Sequence, residues 1–127
     1  MKEESIQIMI ADWLSRQYPW VMFRSDGGGL RLPIGLAVKF KRLNGGRRAW
    51  PDFFVAEPVG KYKGLFIEIK GCRDDAYQKS GELRRTTHIQ EQAEVLLSLR
   101  ERGYRAEFGC GFENCIKIIK EYLWVKI

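Results

Sequence analysis

From the N-terminus, apolar residues first recur at helical intervals. Ile6, Met9, Ile10, Trp13 and Leu14 lie on one stripe between Glu3 and about Tyr18, the spacing of an amphipathic helix. Glu3 falls near the edge of that stripe, Glu4 points away from it, and Pro19 ends the helix. The period then shortens. Val21 to Arg24 reads as a short strand, broken by the loop signal Ser25-Asp26-Gly27-Gly28-Gly29; Gly35 to Arg42 reads as a further strand, and Asn44-Gly45-Gly46 as a turn. Asp52 to Glu57 is a strand, Pro58 to Gly64 a hairpin turn, and Gly64 to Lys70 the returning strand. In that last strand Leu65, Ile67 and Ile69 alternate with Phe66, Glu68 and Lys70. The aliphatics therefore enter a core on one face while Glu68 and Lys70 share the other.

The polar run Cys72 to Arg85 reads as a mobile loop. Thr86 or Thr87 caps a helix from His88 to Arg102, with Ile89, Ala93, Leu96, Leu97 and Leu99 on its buried face and Glu91, Glu94, Ser98 and Glu101 on its wet one. Gly103 closes that helix. Tyr104 to Phe108 follows as a strand and Glu113 to Tyr122 as a final helix. The order is roughly αβββαβα, an α/β domain built on a mixed central sheet flanked by helices.

A chain of 127 residues fits a single domain, 1–127. It has no apolar run near the ~18 residues of a membrane span and no signal-peptide pattern, so a soluble, cytoplasmic protein is expected. Cys72, Cys110 and Cys115 are odd in number and include no Cys-x-x-Cys pair, the pattern of free thiols rather than of a disulfide framework or zinc site. The net charge of +6 is concentrated. Arg31, Lys39, Lys41, Arg42, Arg47 and Arg48 lie between Gly27 and Pro51 with no acid among them. Such a one-sign segment is either a solvated basic loop or a track for a polyanion.

The chemistry sits beside that segment. Asp52 opens one strand and Glu68 lies sixteen positions on in its hairpin partner. Antiparallel pairing brings the two carboxylates within a few ångströms, where they repel unless a cation lies between them. A hard divalent ion such as Mg²⁺ takes oxygen ligands and keeps several waters, so Asp52, Glu68 and the backbone carbonyl of Ile69 suffice as protein ligands. Lys70 is placed either to position an attacking water or to steady charge building on a phosphate. Gln92 interrupts the apolar stripe of the long helix. It is either satisfied by nearby backbone or faces the carboxylates. His88, one turn earlier, is an exposed or capping residue or a catalytic aid.

Pro51-Asp52 with Glu68-Ile69-Lys70 resembles the PD-(D/E)XK nuclease superfamily. The wider pattern resembles its virus-type replication-repair nuclease (VRR-NUC) branch: Glu3 with Ile6-Gln7, Ser25-Asp26-Gly27-Gly28, Trp50-Pro51-Asp52-Phe53, Gly64 to Lys70, and Gln92 eleven before Gly103. The resemblance implies a restriction-endonuclease-like core and a Mg²⁺- or Mn²⁺-dependent DNA nuclease. Asp52, Glu68 and the Ile69 carbonyl would hold the metal, Lys70 the water, Gln92 would support the site, and Glu3 would be an accessory acidic ligand. Short members of the family resemble phage or prophage proteins that act as homodimers on branched DNA, including four-way (Holliday) junctions. The Cys72 to Thr87 link is longer than usual in the family, which leaves Gln92 and Gln90 as alternatives for the active-site amide. Two other readings stand beside a structure-selective endonuclease: a non-catalytic nucleic-acid-binding module on a nuclease scaffold, and a sequence-specific restriction-like nuclease. No base-reading motif is present, and a two-fold dimer suits paired nicks in opposed strands.

Overall fold

The computed structural model describes residues 2–26, 33–47 and 49–124. Helix α1 (Glu3–Gln17) leads into strand β1 (Phe23–Ser25), helix α2 (Ile34–Leu43), strands β2 (Phe53–Val55) and β3 (Leu65–Lys70), helix α3 (Thr87–Glu101), strand β4 (Arg105–Cys110) and helix α4 (Phe112–Trp124). The four strands form one sheet in the order β1-β2-β3-β4. β1–β2 and β2–β3 are antiparallel, with Ser25 opposite Phe53 and Phe53 opposite Ile67. β3–β4 is parallel, with Lys70 opposite Cys110. The crossover between those parallel strands is α3, and Gly103, at φ +98, ends it in the left-handed conformation that glycine adopts freely.

Both faces of the sheet are covered. On one, Ile6, Ile10 and Leu14 of α1 and Cys115, Ile118, Ile119, Tyr122 and Leu123 of α4 pack on Phe53, Val55, Leu65, Ile67 and Ile69. On the other, Ile89, Val95, Leu96 and Leu99 of α3 pack on Ala106 and Phe108, joined by Phe66 at the margin. The alternation along β3 therefore separates two interiors rather than a core from water. That is why Glu68 and Lys70, opposite the aliphatics, are nevertheless buried.

Three expectations are corrected. Gly35 to Arg42 is helix, not strand. Its alternating Val38-Lys39-Phe40-Lys41 imitates a strand, but none of the ten residues of α2 is buried. With no sheet face to satisfy, the helix preference of Leu36, Ala37, Lys39, Lys41 and Arg42 prevails. Within α3, Leu97 is exposed and Val95 takes its place in the core. The Cys72 to Arg85 segment is organised, with a 3-10 turn at Arg73–Asp75, a bridge between Tyr77 and Leu83, and Ala76 fully buried.

Candidate active site

The site begins where β2 stops. Two places beyond the Phe53–Ile67 pair, the register sets Pro51 opposite Ile69. Proline has no N–H to give, so the ladder bond to the Ile69 carbonyl cannot form there. The Ile69 N–H donates to the Asp52 carboxylate, Oδ2 at 3.0 Å. The Lys70 carbonyl is turned to β4, where the Gly111 N–H donates to it at 2.9 Å. The Ile69 carbonyl consequently points to the β2 side, where Pro51 offers no donor. Asp52 is thereby fixed against the end of β3, beside Glu68 and Lys70.

Electrostatically these residues form one group. Glu68 is 3 % exposed and Lys70 5 %. Burial pushes the Glu68 carboxyl well above the usual carboxylate range; a hydrogen bond with Asp52, the Asp52 charge and that of Glu3 push the same way, and Lys70 opposes them. Glu3 is also raised, first by burial and then by Asp52 and Asp75, while Lys70 and His88 pull it down. The first turn of α1 therefore faces the end of β3, where edge-of-stripe geometry expects Glu3.

Gln7, one turn after Glu3, carries a role that the sequence does not assign. Its Nε2 donates to Ser25 Oγ at 2.9 Å and to the Asp26 carbonyl at 3.2 Å, with the Asp52 carbonyl at 3.5 Å. The Asp26 N–H donates to that same Asp52 carbonyl at 2.9 Å. One buried amide thus ties α1, the end of β1 and the residue before β2 together, and holds the backbone of Asp52. The available signal was its i+4 relation to Glu3 on the buried side of α1.

Gln92 is 5 % exposed, its Nε2 lies 3.1 Å from His88 Nε2, and its Oε1 is buried with no partner among the described residues. Gln90, by contrast, is exposed and donates to the Arg84 carbonyl at 2.9 Å. An orphaned buried acceptor is costly unless a ligand or water completes it. His88 links Gln92 to the field of Glu3. The basic set lies elsewhere: Lys39, Lys41 and Arg42 are on exposed α2, and Arg47 lines a shallow recess with Glu91 and Glu94 of α3. Arg31 and Arg48, with Gly27 to Gly29, lie outside the described residues.

The fold, though not yet the site, has a counterpart among solved structures. A solved structure described as a VRR_NUC domain protein superposes with a TM-score of 0.67 and 26 % sequence identity, covering 98 % of this chain and 90 % of that one. The chain has a VRR-NUC-type fold. No protein-family model and no curated protein matches it. The likeness of the VRR-NUC-type fold is to a family of nuclease domains, and among the described residues no helix is long and apolar enough to cross a membrane.

Whether the site suits a metal depends on its donors. Two converging carboxylates, one with its proton affinity raised by the other, and a backbone carbonyl without a ladder donor are all hard oxygen ligands. Among the described residues no three Asp, Glu, His or Cys side chains stand close enough to share an ion. The donor set fits an oxygen-seeking cation that retains water, and lacks the nitrogen and sulfur ligands of a zinc site.

Proposed function

We propose that this domain is a Mg²⁺- or Mn²⁺-dependent endonuclease that hydrolyses phosphodiester bonds in branched DNA such as four-way junctions, acting as a homodimer. The observation that carries the reading is Glu68, buried beside Asp52 and held against its charge. A structural ion pair would match Glu68 with Lys70 alone and would not need a second acid. Asp52, Glu68 and the Ile69 carbonyl are the residues that would hold the ion. When bound, such an ion supplies Lewis acidity toward a phosphoryl oxygen and lowers the pKa of bound water. Lys70 orients the attacking water or steadies charge on the phosphate from the same strand face. Gln92, with an acceptor to spare, orients a water at the rim. Glu3 tunes the field, and Gln7 keeps Asp52 in place.

The VRR-NUC likeness supports DNA as the substrate class, and the basic residues of α2 and the following turn suit phosphate contacts without base readout. Exposed Leu36, Phe40 and Leu43, one stripe of α2, support a two-fold dimer that sets two sites on opposed strands. The test is cleavage of a four-way junction beside a linear duplex of the same sequence, with Mg²⁺ and with Mn²⁺. Asp52→Ala is expected to lose at least about a hundredfold in rate while still binding DNA. Undiminished cleavage by Asp52→Ala rejects the assignment, and equal cutting of both substrates rejects branch selectivity.

A further inference from the structure

A second cationic recess lies outside the carboxylate site. The segment after β3 is folded onto the start of α3 by its own groups. The Gln78 N–H donates to the Glu82 carbonyl at 2.8 Å, and the Arg84 N–H to the Ala76 carbonyl at 2.8 Å. Gln90 of α3 holds the Arg84 carbonyl. On this segment, up to the N-cap of α3, opens a pocket of about 460 Å³, lined by Gln78, Arg84, Arg85 and Thr86. The lining holds two guanidinium groups and no acid, and the first turn of α3 carries no acid either. Among the described residues the salt bridges are those of Arg105 with Glu107 and Glu121, so neither Arg84 nor Arg85 is ion-paired with a described carboxylate. Arg84 Nε is anchored on the Asp74 carbonyl, which fixes the fork and leaves its terminal nitrogens for another acceptor.

Adjacent cations on a pinned segment repel each other until an anion comes between them. Planar guanidinium forks match the oxygens of a phosphate. The recess adjoins the helix start that carries His88 and Gln92. Thr86 stands six residues before Gln92, about 9 Å of helix axis, and His88 in between lies in the field of Glu3. We propose that this recess binds a phosphodiester group of the DNA strand that crosses the Asp52–Glu68 site, a few nucleotides from the scissile bond. The site is distinct from the basic residues of α2 and its following turn. It rests on the nuclease reading for the path of the strand, but not on cleavage.

The test scores binding without catalysis. Fluorescence anisotropy of labelled duplex and junction DNA is followed in EDTA across a salt series, using the Asp52→Asn protein as parent. Arg85→Gln in that background removes an exposed charge that bears none of the segment's hydrogen bonds. It is expected to weaken binding about three- to tenfold and to flatten the salt dependence by about one released ion. Arg84→Lys with Arg85→Gln is expected to weaken binding further, with unchanged melting. Lys117→Gln, on the exposed face of α4, should leave both readings alone. Parent-like affinity and salt slope in both recess variants overturn the proposal, as does a parent that binds no DNA. Loss of binding in a protein whose native form never cuts DNA supports the recess while rejecting the nuclease reading.

Discussion

At the scale of single residues, Glu68 couples the site to stability. Burial and Asp52 raise its folded pKa above the ordinary value of 4.5. Above that pH the folded, metal-free chain still holds a proton that the unfolded chain has released. Stability therefore falls as pH rises from the ordinary value toward the raised one. In chelator, Tm is expected to drop between about pH 5 and pH 8, and Glu68→Gln should flatten that drop. At the upper end the variant should be the more stable by about 1 kcal/mol or more, and inactive. A wild type and Glu68→Gln pair with parallel pH profiles in calorimetry contradicts this. The residues involved were legible because a strand has a period of two: Asp52, Glu68 and Lys70 follow from counting along the chain. Gln7 was not, since the groups it holds lie 18 to 45 positions away and only the folded chain brings them together.

Elements were legible where a face is buried and obscure where none is. α1, β3, α3 and α4 each set apolar residues at the interval their core requires, and their ends fall within a few residues of expectation. None of α2 is buried, so the alternation of Val38 to Lys41 competed with its helical stripe and hid its conformation. The segment after β3 was opaque for another reason. Its order comes from side chains bonding backbone, as when the Asp75 carboxylate accepts the Cys72 N–H at 3.1 Å, and polar composition hides such bonds. Packing between elements is tight at Gly109 on β4. A Cβ there would meet Cys115 Sγ at 2.5 Å and Ile67 Cγ2 at 2.7 Å, both fully buried. Gly109→Ala should cost about 1–3 kcal/mol, read as a lower urea midpoint with unchanged slope. A wild-type midpoint would mean that α4 can retreat from the sheet without penalty.

For the whole molecule, the outstanding surface is α2, whose Ile34, Val38 and Leu43 are more than half exposed. Leu36→Glu with Phe40→Glu is expected to turn a dimer into a monomer by light scattering. The melting of the separated chain should move by no more than about 0.5 kcal/mol, because neither side chain belongs to the buried core of the described residues. Unchanged mass in the double variant would assign self-association to another face. Net charge points the same way for solubility and for ligand: a chain of +6 repels its own kind at low salt and gathers polyanions. Dimer formation should therefore strengthen as salt screens that repulsion, up to the point where DNA is released.

The early halt of β2 at Pro51 has a wider meaning. Sheets ordinarily finish their seams, since every unmet carbonyl invites either water or a foreign strand. Here the middle of the fabric is left unstitched for the span from Glu68 to Lys70, although β4 accompanies it on the other side. An imino acid thus acts as a scheduled dropped stitch. A residue with an amide hydrogen in that place could mend the seam, and the mended protein would be tidier and have one oxygen fewer to offer a visitor.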